Sequence, residues 1–148
     1  MNRQSKSRDE YSVVYWDSSV ILSVLFEDAH SKKALVWLGK KGIHLISSLG
    51  YAEVCAVISR LKKGKMLSDV FFDAALDTLT SGPFRHLNIQ PDRKRIVSLS
   101  AKWPLRGADL WHMALVKTLQ EQIPGLILLT LDDRMRAAAE GEELTVAP

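Results

Sequence analysis

Short apolar runs alternate along the chain with longer segments in which apolar residues recur at helical spacing. The short runs predict strands at Val13–Trp16, Ile43–Ser47, Phe84–Ile89, Leu126–Thr130 and Leu144–Val146. The longer segments predict helices at Ser18–Phe26, Lys32–Leu38, Leu49–Lys63, Ser68–Leu79, Asp92–Lys102, Gly107–Gln122 and Asp133–Glu140. Apolar strands separated by helices are typical of a parallel sheet that is covered on both faces, so we predict an α/β fold.

The composition supports one compact domain and narrows the function only slightly. Of the 148 residues, 47% are hydrophobic and 25% charged, and the formal net charge of +3 permits an anionic partner without requiring one. We expect residues 1–10 to form a flexible polar tail and residues 11–148 to form the domain. The apolar runs are too short for a signal peptide or a membrane span, so we expect a cytoplasmic protein. Cys55 is the single cysteine, which excludes an internal disulfide and a cysteine-based metal site.

Four carboxylates follow predicted strands or begin the helices after them. Asp17 comes directly after the first strand, and Asp132 lies two residues beyond Thr130. Glu53 lies in the first turns of the helix after the second strand, and Asp109 lies in the first turn of the penultimate helix. The active sites of open α/β sheets lie at the carboxyl ends of the strands, so all four acids can approach one edge.

Three of these acids also have a structural explanation. Asp17 and Asp132 could be helix N-caps, and Asp109 could complement a helix dipole. For any one of them taken alone, the structural role is favoured because caps are so common.

Glu53 is harder to explain as a structural residue. It shares a predicted helical face with Leu49, Ala56 and Val57, and Arg60 lies nearly two turns away. A carboxylate on an apolar face costs several kcal/mol unless it is paired or binds a metal.

A cluster of these acids would have a chemical consequence. Carboxylates that lie close together repel, and without a counter-ion some of them keep their protons. The sequence has no cysteine pair and no two histidines at ligand spacing, so the oxygen-rich set favours Mg²⁺ or Mn²⁺. Water activated by such a cation can attack a phosphodiester in line.

Four segments around the acids carry a resemblance to a known family: VVYWDSSVILSVLF, SSLGYAEVCAVISRL, LRGADLWHMALVKTL and LILLTLDDRMRAAA. In order, spacing and element pattern the chain resembles PIN-domain ribonucleases, and in size and detail it resembles the VapC toxins of bacterial VapBC toxin–antitoxin pairs. The resemblance extends from Val13 to Val146. It implies a three-layer α/β/α fold with a central, mostly parallel sheet of four or five strands. It also implies a Mg²⁺- or Mn²⁺-dependent endoribonuclease that acts on RNA, forms a homodimer and is inhibited by a cognate antitoxin protein.

The resemblance also assigns roles to individual residues. The family's three invariant acids and its more variable fourth, which hold the metal and act in catalysis, are matched by Asp17, Glu53, Asp109 and Asp132. Ser18 matches the small hydroxyl position after the first acid, and Thr130 matches the supporting residue before the last. The T-x-D spacing favours Asp132 as the fourth ligand, with Asp133 as the alternative.

Other residues are candidates for supporting roles. His112 lies one turn after Asp109 and could support that carboxylate, although packing at the helix–sheet boundary is favoured. Three arginines near the acids could contact the substrate: Arg106, Arg134 and Arg136. The basic runs at 60–65 and 93–95 could follow an RNA backbone or be solvated faces. The apolar stretch 66–72 could be core or, as the resemblance implies, part of a groove for an antitoxin helix.

Other functions fit the sequence less well. A non-toxin PIN protein would be either a housekeeping RNA-processing nuclease or a catalytically weak RNA-binding module, and the latter would need a broken acid set. A haloacid-dehalogenase phosphatase needs a second aspartate two residues after the first, whereas Asp17 is followed by Ser18 and Ser19. A glycine-rich phosphate-binding loop is absent from the sequence, which excludes nucleotide hydrolases of that type.

Overall fold

The computed structural model describes residues 11–148, which form one parallel sheet with helices on both faces. The strands are β1 (Ser12–Trp16), β2 (Gly42–Ser47), β3 (Phe84–Leu87), β4 (Ile127–Leu129) and β5 (Thr145–Ala147). Their spatial order is β3-β2-β1-β4-β5, and every neighbouring pair is parallel. The chain therefore moves outward from β1 to β3 and then continues on the other side of β1. The topological switch point, where open α/β sheets bind ligands, lies between β1 and β4.

The helices in the described part of the chain are α1 (Ser18–Leu25), α2 (Ser31–Leu38), α3 (Ser48–Lys63), α4 (Asp69–Ser81), α5 (Arg93–Lys102), α6 (Gly107–Gln122) and α7 (Asp133–Gly141). Two hydrophobic cores flank the sheet, one beneath α1 to α4 and one beneath α5 to α7. The predicted three-layer α/β/α fold is thus confirmed, and the sheet is entirely parallel. Observed and predicted element boundaries differ by at most two residues.

Strand β1 divides its side chains between the two cores. Val14 and Trp16 point into the core under α1 to α4, whereas Tyr15 points into the core under α5 to α7. This alternation follows from the period of two in a strand. Tyr15 and Trp16 are both fully buried, so the strand that ends at Asp17 is held from both faces.

Two further points concern the predicted N-terminal tail and membrane-spanning helices. The predicted tail at residues 1–10 lies outside the described residues. Within residues 11–148, no helix combines the length and the apolar character needed to cross a membrane.

Candidate functional site

The four acids all lie where the carboxyl ends of the strands meet the helices. Asp17 directly follows β1, and Asp132 follows β4 and precedes α7. Glu53 lies in the second turn of α3, the helix that begins right after β2, and Asp109 lies in the first turn of α6. The sheet topology therefore brings acids that are distant in sequence to the switch point between β1 and β4.

Asp17 is held by hydroxyl groups rather than by a helix cap. It occupies the N-cap position of α1, but its side chain makes no capping hydrogen bond. Its Oδ2 accepts hydrogen bonds from Ser19 Oγ at 2.7 Å and from Thr130 Oγ1 at 2.9 Å. Only 4% of Asp17 is exposed, and the two hydroxyls fix the direction of a nearly buried carboxylate. The structural explanation of Asp17 as a cap is therefore wrong.

Asp132 is both an N-cap and a neighbour of the Asp17 network. Its Oδ1 accepts a hydrogen bond from the Met135 backbone N–H at 2.8 Å, so the capping interpretation is correct for this acid. The backbone N–H of Asp132 donates to Thr130 Oγ1 at 3.1 Å. Thr130 thus links Asp17 to Asp132 through one hydroxyl.

The pKa of Asp109 is affected by the charges of the other three acids. Burial raises its pKa above the ordinary value, and the charges of Asp132, Asp17 and Glu53 raise the pKa further. The charge of His112 acts in the opposite direction. Asp132 is among the charges that act on Asp109, and both Asp132 and Asp133 line the groove beside it, so the choice between them stays a prediction.

The position of Glu53 on α3 differs from the prediction. The buried stripe of the helix consists of Gly50, Val54 and Ile58, whereas Ala56 is exposed. Glu53 therefore flanks the core stripe instead of sharing it, and 30% of its side chain is exposed. The prediction was wrong because Ala56 was counted as a core residue, whereas alanine is found on exposed helix faces as well as on buried ones.

A buried histidine holds Glu53. His112 Nε2 lies 2.6 Å from Glu53 Oε1, and His112 Nδ1 lies 2.6 Å from the Tyr15 hydroxyl. His112 is fully buried at the boundary of α6 and the sheet, as its packing explanation required. Its carboxylate partner is Glu53, however, and not Asp109, which precedes it by one turn of α6.

A groove of about 270 Å³ opens beside the acids. It is lined by Arg106, Asp109, Asp132, Asp133 and Arg134. Two of the three arginines predicted to contact substrate thus border the groove. The third, Arg136, donates from Nη2 to the Thr130 carbonyl oxygen at 2.9 Å and supports the backbone next to the site.

The basic runs take part in local contacts. Lys62 lies 3.5 Å from Asp69 and 3.9 Å above the Phe72 ring. Arg95 pairs with Glu121 across α5 and α6. Both contacts are typical of solvated helix faces, and a role in following RNA stays a prediction for these runs.

The family model of the PIN domain matches residues 14–141. The chain belongs to the PIN domain family. The matched range includes all four acids, and the predicted resemblance to this family is confirmed. None of the curated proteins matches the sequence.

Several solved structures share this fold at low sequence identity. VapBC2 from Rickettsia felis, bound to a DNA fragment from its promoter, has a TM-score of 0.62 at 15% identity, covering 91% of this chain and 97% of that chain. A protein from Pyrobaculum aerophilum has a TM-score of 0.59 at 18% identity, with coverages of 93% and 92%. Mycobacterium tuberculosis VapC20, a toxin that cleaves the sarcin-ricin loop, has a TM-score of 0.56 at 14% identity, with coverages of 84% and 94%. These similarities concern the fold.

The donor chemistry of this PIN domain fits a hard divalent cation. Among residues 11–148, no group of three His, Cys, Asp or Glu side chains is arranged closely enough to hold a metal ion. The cluster is nevertheless made of carboxylate oxygens, which Mg²⁺ and Mn²⁺ prefer. Burial first, and then the neighbouring acids, raise the pKa of Asp109, and a bound cation would stabilise its charged form.

Two residues that contact the acids were missed by the sequence analysis. Ser19 bonds to Asp17 and also accepts the Leu131 backbone N–H at 3.3 Å, whereas no hydrogen bond within residues 11–148 joins Ser18 to Asp17. The support role of Ser18 stays a prediction. Tyr15 looked like an ordinary strand residue, and its position two residues before Asp17 was the only available signal.

Proposed function

We propose that this PIN domain is a metal-dependent endoribonuclease. The observation that supports the proposal is the groove lined by Asp109 and Asp132 together with Arg106 and Arg134, since the Thr130 hydroxyl joins Asp132 at this groove to Asp17. No lysine or arginine among residues 11–148 forms an ion pair with any of these acids, and His112 is the partner of Glu53. The set Asp17, Glu53, Asp109 and Asp132 would hold Mg²⁺ or Mn²⁺. When bound, the cation supplies Lewis acidity for the attack of water on a phosphodiester.

The protein's own residues orient the acids and receive the substrate. Ser19 and Thr130 keep Oδ2 of Asp17 fixed, so the direction of this carboxylate is set before any ligand arrives. Arg106 and Arg134 line the groove together with the acids, where their guanidinium groups can bind phosphate oxygens. The positive charges of these two arginines reduce the repulsion between the acids and the RNA backbone.

An RNA cleavage assay tests the proposal. The purified protein should cleave structured RNA in the presence of Mg²⁺ and stop when EDTA removes the cation. Asp17→Asn and Asp109→Asn should abolish cleavage without unfolding the domain. Asp77→Asn, which changes an exposed acid on α4, is the matched control and should cleave like the wild type. Cleavage that survives EDTA or Asp109→Asn would contradict the proposed chemistry.

We further propose that the protein is the toxin of a type II toxin–antitoxin pair and that an apolar surface near α4 binds the antitoxin. Met66, Val70 and Phe71 are 78%, 77% and 67% exposed. Exposed apolar side chains in a row are typical of a protein interface, and an amphipathic partner helix would cover them. Phe72 packs against the core instead, so only part of the apolar stretch is available.

A binding experiment tests this partner. The product of an adjacent small reading frame should copurify with the protein and suppress its nuclease activity. Phe71→Ser should weaken binding, and Val97→Ser, at an equally exposed valine on α5, should leave it unchanged. Equal binding by all three proteins would show that the α4 surface is not the interface. Light scattering of the free protein tests the proposed homodimer.

A further inference from the structure

The hydrogen bonds of His112 form a short chain that ends at Glu53. The Tyr15 hydroxyl lies 2.6 Å from His112 Nδ1, and His112 Nε2 lies 2.6 Å from Glu53 Oε1. The chain begins on β1, passes through α6 and ends on α3.

The donors in this chain are assigned from the chemistry of its groups. The Tyr15 hydroxyl is a donor within hydrogen-bond distance of His112 Nδ1, and a neutral imidazole has one accepting and one donating nitrogen. With the phenol hydrogen on the Nδ1 side, Nε2 carries the ring hydrogen and donates it to Glu53 Oε1.

The members of the chain are sealed from water except at the acid. Tyr15 and His112 have no exposed surface, whereas 30% of the Glu53 side chain is exposed. A buried ring with both nitrogens bonded is held in one orientation. Glu53 Oε1 is thereby fixed, while Oε2 has no hydrogen-bond partner among the described residues.

The chain also connects the elements that carry the acids. Tyr15 precedes Asp17 by two residues on β1, His112 follows Asp109 by one turn of α6, and Glu53 belongs to α3. The bonds between Tyr15, His112 and Glu53 thus join the three elements that carry the first three acids. This arrangement has no counterpart in the explanation of His112 as a packing residue.

We propose that Tyr15 and His112 are positioning residues that orient Glu53 for cation binding. This inference rests on the proposed function, and it adds to the carboxylates a buried support that acts through one of them. Partners that hold a ligating group typically change metal affinity by about 10- to 100-fold when they are removed. His112 is not itself a ligand in this proposal, because both of its nitrogens are already bonded.

The variants separate positioning from packing. His112→Leu removes both hydrogen bonds, and His112→Gln restores a side-chain N–H that can donate to Glu53. Tyr15→Phe removes one hydroxyl and keeps the ring, which guards against a His112→Leu variant that fails to fold. His44→Leu is the matched control, since His44 is a buried histidine that bonds to Trp16 and to no acid.

Two measurements on the full-length protein complete the test. Mn²⁺ titrated alone by calorimetry should bind His112→Leu about 10- to 100-fold more weakly than the wild type, with partial recovery in His112→Gln and no change in His44→Leu. In the metal-free wild type, long-range ¹H–¹⁵N NMR should show His112 with its hydrogen on Nε2, and Tyr15→Phe should reduce that preference.

The outcomes distinguish this inference from the proposed function. If the wild type binds Mn²⁺ and the Tyr15 and His112 variants bind it equally well, the positioning role is wrong while the nuclease proposal stands. An equal loss of affinity in His44→Leu also overturns the positioning role, because general destabilisation would then explain both variants. If the wild type does not bind Mn²⁺ at all, the proposed function fails and the inference fails with it.

Discussion

Two buried histidines on opposite faces of the sheet make similar hydrogen bonds at Nδ1 and different ones at Nε2. His112 and His44 are 0% and 5% exposed, and Nδ1 of each is hydrogen-bonded to an aromatic side chain of β1, Tyr15 or Trp16. His44 Nε2 contacts the Lys40 carbonyl oxygen at 3.1 Å, whereas His112 Nε2 contacts the Glu53 carboxylate at 2.6 Å. Both histidines are therefore fully bonded.

The two histidines differ in the group to which Nε2 is hydrogen-bonded. At His44 the bond satisfies a neutral carbonyl near the amino end of β2, which stabilises the local backbone. At His112 the bond is charge-assisted and reaches an acid of the cluster, so the same histidine geometry also orients a functional group. Burial and bonding alone do not distinguish the two residues. The identity of the acceptor does.

The two single variants His112→Leu and His44→Leu should differ most in RNA cleavage while losing similar amounts of stability. We expect His112→Leu to reduce RNA cleavage about 10- to 100-fold, because Glu53 loses its support. His44→Leu should leave cleavage unchanged. Each variant strands a buried donor of β1 and should lower the free energy of unfolding by about 1–3 kcal/mol. Cleavage rates and urea unfolding check this, and equal activity of the two variants would remove the distinction.

Replacing the two aromatic donors gives a smaller version of the same test. Tyr15→Phe and Trp16→Phe each remove a buried hydrogen bond, at a cost of about 1–2 kcal/mol in the free energy of unfolding. Only Tyr15→Phe should slow RNA cleavage, because only its chain reaches Glu53. Tyr51→Phe changes a tyrosine that stacks near His86 and is a control for phenol removal in general. A slower Trp16→Phe enzyme would mean that packing on either face of β1 controls the site.

The acids themselves should be a burden on stability in the absence of a cation. Asp109→Asn removes the carboxylate whose pKa is raised by burial and by its acidic neighbours. We expect the variant to be more stable than the wild type at neutral pH, by about 1 kcal/mol at most because the site is partly solvated. Thermal unfolding in EDTA measures this. A destabilised Asp109→Asn protein would indicate that the carboxylate has a structural role instead.

The destabilising effect of Asp109 should also depend on pH, and it should increase as pH rises. In the folded protein the pKa of Asp109 lies above its ordinary value of 3.8, so the folded state binds this proton more tightly than the unfolded state. The contribution of Asp109 to stability therefore falls as pH rises from the ordinary value through the raised one. The difference between wild type and Asp109→Asn should grow in that window and then level off. A difference that does not vary with pH would contradict the raised pKa.

Elements of the fold that depend on local pattern could be predicted from the sequence. Helix α6 was predicted with its observed boundaries, Gly107–Gln122, since its apolar spacing and the following Pro124 are local signals. The placement of Asp17, Asp109 and Asp132 also followed from the rule that α/β sites lie at the carboxyl ends of strands.

Contacts between distant segments could not be predicted in this way. The partners Tyr15 and His112 are 97 positions apart, and only the crossing of α6 over β1 brings them together. The choice of Ser19 over Ser18 as the donor to Asp17 depends on how the first turn of α1 is rotated. That rotation is set by packing and not by the sequence pattern around the acid.

Calorimetric titration of Mn²⁺ into the metal-free protein tests the central claim, that the gathered acids form a cation site, most directly. Wild type and Asp77→Asn should bind the ion with the same affinity, and Asp17→Asn should bind it much more weakly or not at all. Equal binding by Asp17→Asn, or no heat of binding in the wild type, would contradict the claim.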